Sequence, residues 1–106
     1  MAGTYTITDD QRREILRQIG NLNVLAISGG RVTALADGVE LPVGNGYRVR
    51  VRLTPMDYYR VERVFVRGGK EFDKGYRDDV DFTQVGEAAY YASCYRNDGG
   101  EWTYNG

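Results

Sequence analysis

At 106 residues the chain has the usual size of one compact domain, and dividing it would leave pieces too small to bury a core without disulfides or metal. Hydrophobic residues make up 42% and charged residues 27%, which excludes disorder over most of its length. Fourteen basic residues against fifteen acidic ones give a formal charge of −1, so nothing draws nucleic acid or an anionic membrane at long range, and a nucleic-acid mimic is excluded too.

In chain order, the first predicted element is a helix over Thr8–Ile19. Thr8 can cap it with Gln11 three residues on, Asp9 and Asp10 suit its positive end, and Ile15, Leu16 and Ile19 form an apolar stripe that ends at Gly20. Val24–Ser28 and Arg31–Leu35 then read as two short strands joined at Gly29-Gly30, and Asp37-Gly38 follows as another turn. Asn45-Gly46 precedes Tyr47–Leu53, where apolar and arginine residues alternate strictly, as in a strand with one buried face. A turn at Pro55-Met56-Asp57 leads to a strand over Tyr59–Arg67, and Gly68-Gly69 leads to another over Lys70–Tyr76. Matching apolar partners pairs Leu53 with Tyr59, Val51 with Val61, Tyr47 with Phe65, and Phe65 with Phe72. Tyr47, Phe65 and Phe72 are therefore expected to form an aromatic centre in the core. Arg63 falls on the same side and calls for a bulge or an edge position. The last element is a helix over Phe82–Arg96, capped by Asp81 or Thr83, with Val85, Ala88, Ala89, Ala92 and Tyr95 on one stripe and Gly86 placed for close packing. The expected architecture is α+β: an antiparallel meander of five or six short strands, flanked by an N-terminal and a C-terminal helix on one sheet face. It is a single domain, 1–106, with loose ends at 1–4 and 97–106.

Chemistry is scarce. There is no histidine, which removes the usual general base and the commonest metal ligand, and Cys94 stands alone without a base, so it reads as a packing residue in a reducing compartment. Asp73, Asp78, Asp79 and Asp81 lack the spacing of a calcium loop, and the Gly-Gly segments lie between strands, where they cannot cradle a phosphate ahead of a helix. No enzyme activity, cofactor or metal is expected. No apolar run approaches the roughly 18 residues that span a bilayer, and no signal-peptide core opens the chain, so a cytoplasmic protein is expected.

Two surfaces remain as candidate binding sites. Arg48, Arg50 and Arg52, with Arg60 beside them, share the side of the sheet opposite the predicted core. Glu62 opposite Arg50 offsets part of their charge. The nine tyrosines exceed what a small core can bury, and Tyr90, Tyr91, Tyr95 and Trp102 form a second candidate surface.

Gly46–Val51, Val61–Lys70 and Val85–Tyr90 resemble segments of small accessory proteins encoded by actinobacterial phages. The resemblance covers most of the chain after the first helix, carries no catalytic signature, and implies work in the host cytoplasm. A non-enzymatic module is expected, binding a host or phage protein through exposed tyrosine and arginine. The alternative is nucleic-acid binding by the Arg48/Arg50/Arg52/Arg60 face, and a second copy could join through a sheet edge.

Overall fold

Thr8 is extended (φ −86°, ψ 166°); its hydroxyl accepts from the Gln11 N–H at 3.1 Å, and Gln11 Oε1 accepts from the Thr8 N–H at 2.8 Å. This reciprocal cap starts α1, Asp9–Ile19, in a computed structural model that describes residues 6–94. Gly20 (φ 97°) then redirects the chain into a second helix, α2, Asn21–Ser28. Here the expected strand over Val24–Ser28 is corrected. Val24 and Ile27, three residues apart, reach the core from one side of a helix, and the Ser28 hydroxyl donates within the same turn to Val24 O at 3.1 Å. Gly29, left-handed at φ 66°, closes that helix, so Gly29-Gly30 is a helix stop and not a hairpin.

Among the described residues five strands follow: β1 Thr33–Leu35, β2 Gly38–Gly44, β3 Tyr47–Leu53, β4 Tyr59–Arg67 and β5 Lys70–Val80. They form one antiparallel sheet in the order β1-β2-β3-β4-β5, the meander the turn chemistry predicts. Asn45 (φ 56°) and Gly46 (φ 87°) both adopt the left-handed region that turns β2 into β3. Gly38 is needed for another reason: a Cβ there would stand 1.9 Å from Val51 O, so only glycine lets β2 approach β3. The β3–β4 and β4–β5 pairings match the sequence reading at Leu53–Tyr59, Val51–Val61, Tyr47–Phe65 and Phe65–Phe72.

The third helix, α3, runs over Val85–Cys94, three residues later than its expected start. Asp81 holds Phe82–Gln84 in a turn instead, its carboxylate accepting the Thr83 N–H at 2.8 Å. Val85, Ala88, Ala89 and Ala92 are fully buried as the stripe predicts. Their small side chains let α3 lie close on the sheet, and at Gly86 a Cβ would meet Ile19 O at 2.6 Å and Asn23 Nδ2 at 2.9 Å. All three helices cover one face of the sheet, and the core between them centres on Ile15, Ile19, Leu41, Val49, Val51 and Val61.

That centre corrects the expected aromatic one. Tyr47, Phe65 and Phe72 do stand in a row, with ring centroids 4.9 Å and 6.2 Å apart, but at the margin of the helix-covered face, and Phe72 is 45% exposed. Arg63 explains part of this. It points into the same side, stacks on the Tyr47 ring at 4.3 Å, and donates to the Ala92 and Ser93 carbonyls at 2.8 Å each, serving the negative end of α3. Opposite it, β5 carries the extra residue of a bulge at Lys74-Gly75, with Gly75 at φ 125°, and a second bulge at Asp78-Asp79 faces Arg60. The sheet edges are correspondingly blunted. Arg12 Nε and Nη2 donate to Leu35 O at 3.0 and 2.6 Å, and the Ile7 N–H takes Ala36 O, while β5 is twice bulged. Strand addition by a second copy therefore finds little free edge.

Candidate functional site

Strict alternation in β3 places Arg48, Arg50 and Arg52 on the face without helices, and Arg60 joins them from β4. The structure does bring these four together, but each guanidinium is held by carboxylates. Arg48 reaches Glu40 at 3.0 Å, Arg50 reaches Glu40 at 2.7 Å and Glu71 at 2.7 Å, Arg52 reaches Asp37 at 2.7 Å and Glu62 at 3.1 Å, and Arg60 reaches Glu62 at 2.8 Å and Asp78 at 2.9 Å. Arg60 also lies 3.9 Å above the Tyr76 ring. Five carboxylates thus meet four guanidiniums in two adjoining chains, Arg48–Glu40–Arg50–Glu71 and Asp37–Arg52–Glu62–Arg60–Asp78.

Arg50 departs most from its expectation. Its partners are Glu40, directly opposite on β2, and Glu71, rather than Glu62, its neighbour on β4, and it is only 8% exposed. The hydrogen bonds it donates to Glu71 raise its pKa, against the effect of burial and with help from Glu40, while Arg50 in turn holds the Glu71 carboxyl below its ordinary value. A concavity of about 360 Å³ opens over Arg50, Arg52, Arg60, Glu62, Glu71 and Asp73. Its three cations and three acids offset one another, so it offers no net field for a phosphate.

Tyr90 and Tyr91 lie on α3, across the sheet from the arginines, so the two predicted surfaces do not merge. Tyr90 is exposed, while Tyr91 is half-buried against the core. Tyr95 and Trp102 lie outside the described residues, as do the expected loose ends. Cys94 is exposed, which corrects its reading as a packing residue. The acidic residues have local tasks: Asp78 holds Arg60, Asp73 accepts the Gly75 N–H at 2.8 Å, and Asp81 holds Thr83. Among the described residues no group of three or more carboxylates and thiols could hold a metal ion, and no helix is long and apolar enough to cross a membrane.

Sequence reasoning missed the outward side of α2. Val24 and Ile27 face inward, yet Leu22 is 83% exposed and Leu25 57%, with Ala26 exposed between them. Leu25 and Val32 border a shallow cavity of about 380 Å³ that reaches down to Leu16 and Val24. Gly86 packs on Ile19 and Asn23, so Tyr90, one turn further along α3, lies on the side that faces α2. The signal was present: Leu22, Val24, Leu25, Ala26 and Ile27 are spread around the Asn21–Ser28 helix instead of forming one stripe, so one side of it cannot bury them all. Comparison with known proteins gives no match to a family model, to a curated protein or to a solved structure.

Proposed function

We propose that this domain is a non-enzymatic protein-binding module that receives a partner protein on the outward side of α2, with Leu22 and Leu25 as anchors and Tyr90 at the border. The observation that carries this reading is a short helix that keeps two leucines, Leu22 and Leu25, exposed on its outward side. Leaving two leucines in water forgoes roughly 1.5–3 kcal/mol each relative to burial, and large exposed apolar groups set together mark interaction sites. The non-enzymatic part is supported by the lack of histidine in the chain. Resemblance to phage accessory proteins supports a partner from the phage or its actinobacterial host, met in the cytoplasm. The Arg48/Arg50/Arg52/Arg60 face contributes less than its sequence suggests, because its cations are already engaged.

Photocrosslinking from position 22 in actinobacterial lysate tests the reading. A discrete heterologous adduct is expected, abolished by Leu25→Glu in a variant that melts like the parent. A product containing two copies of this chain instead would assign the surface to self-association, and absence of any adduct would refute the proposal.

A further inference from the structure

Every arginine of the helix-free face is paired, which makes the unpaired cations informative. Among the described residues, Arg31, Arg67, Lys70, Lys74 and Arg77 have no carboxylate within ion-pair distance; Arg31 donates to Ser28 O after α2, and the other four lie on the last two strands. Register places them together. Alternation along β4 puts Val61, Arg63, Phe65 and Arg67 on the helix side of the sheet, and pairing of Arg67 with Lys70, Phe65 with Phe72 and Val61 with Arg77 puts these partners there as well. Lys74 stands in the bulge opposite Arg63. The result is a strip along the last two strands in which Lys70, Phe72 and Lys74 follow at two-residue intervals, about 6.7 Å apart. Phe65 and then Tyr47 follow Phe72 across the same sheet face, so the exposed ring is flanked on one side by its neighbours. Arg67, Lys70 and Phe72 are exposed, and Lys74 and Arg77 half-exposed.

We infer that this strip, Arg67, Lys70, Lys74 and Arg77 with Phe72, binds single-stranded nucleic acid, at the β5 edge of the sheet face that carries α2 over β2. Two features select that partner. Cations set at strand spacing along one edge can follow a flexible phosphate backbone, and an exposed aromatic face between them takes an unstacked base. An acidic protein segment would use the cations and leave the ring idle. A duplex keeps its bases stacked and would likewise leave Phe72 without a role. The site differs from the Arg48/Arg50/Arg52/Arg60 face in one decisive respect: its charges are not already spent on carboxylates.

The test is fluorescence anisotropy of labelled oligo-dT of about 15 nucleotides with the full chain. Four phosphate contacts predict a log–log salt slope of about −2.8, which weakens binding about 50-fold between roughly 50 and 200 mM salt. The double substitution Arg67→Gln/Lys70→Gln should reduce that slope by about 1.4. Phe72→Ala should weaken binding about tenfold or more with the slope unchanged, and Phe72→Trp should retain it, which separates loss of the ring from loss of fold. Arg48→Gln should change neither quantity. The inference is overturned by any of four results: no binding at about 50 mM salt, duplex bound as tightly as oligo-dT, polyglutamate displacing oligo-dT at equal charge concentration, or Phe72→Ala binding like the parent.

Discussion

Replacing Arg50 by methionine keeps an unbranched side chain in β3 and deletes the charge. In the parent its guanidinium donates to Glu40 Oε1 at 2.7 Å and to both Glu71 oxygens at 2.9 and 2.7 Å, from a position with little access to water. Glu71, more than half exposed, would rehydrate at small cost. Glu40 would not, because its side chain is only 6% exposed and keeps Arg48 alone, at 3.0 Å. An uncompensated buried charge costs about 3–5 kcal/mol, and the remaining Arg48 contact reduces this to about 2–3 kcal/mol. For a domain of this size the corresponding fall in Tm is roughly 8–15 °C. An exposed pair of Arg50 with Glu62 alone would be worth under about 1 kcal/mol, so the two views separate cleanly. Thermal melts at pH 7 followed by circular dichroism make the measurement. Adding Glu40→Leu to Arg50→Met should recover most of the loss, since it removes the orphaned carboxylate, while Arg48→Met alone should stay within about 1 kcal/mol. A single Arg50→Met variant melting within experimental error of the parent, or a double variant no better than the single, would refute the reasoning.

The revised core predicts an order of damage: Leu41→Ala, fully buried, should cost about 2–5 kcal/mol, and Phe65→Ala, half-buried, about 1–2 kcal/mol, both read from urea melts. Equal losses would restore the aromatic row to the centre. Gly86→Ala should destabilise by about 1–3 kcal/mol in the same assay despite a better helix propensity, because the new methyl meets the Ile19 carbonyl; a stabilised variant would show that contact to be slack. Burial, with Glu14 and Asp57 nearby, pushes the Tyr59 phenol up to about 12. A raised folded pKa favours the neutral phenol, so its contribution is complete below pH 10 and is lost as pH climbs from about 10 through 12. Tyr59→Phe should therefore flatten the stability profile in that window, and a profile parallel to the parent's would count against the shift.

The hairpins were legible because Asn45-Gly46 and Gly68-Gly69 have few other uses and because Tyr47–Leu53 alternates without exception. Residues 24–28 were not, since a short apolar run fits a buried strand as well as a helix, and what decides is that Val24 and Ile27 must both meet the sheet. The partners of Arg50 were hidden for a different reason. The register read from the sequence paired Arg50 only with Glu62 on β4, whereas its direct neighbour on β2 is Glu40, and it also reaches over to Glu71, which stands opposite Val66. The aromatic row was legible in register and not in burial, because α3 lies over the valines of β3 and β4 while Arg63 occupies its far end. The unpaired strip was within reach, since the same register that joined Phe65 to Phe72 also joins Arg67 to Lys70.

All four strand pairings join consecutive strands, and this bears on how the chain folds. Each hairpin closes a short loop, so the entropic cost of growing the sheet is met in small steps and can begin at any turn. Docking of α3 is different: Gly86 must reach Ile19 and Asn23, more than sixty residues back in the chain. Such a contact closes late and opens early. The helix layer is then the first part of the domain to part from the sheet, exposing the buried alanines of α3 while the meander is still paired. A Gly86→Ala change would accordingly speed unfolding far more than it slows folding.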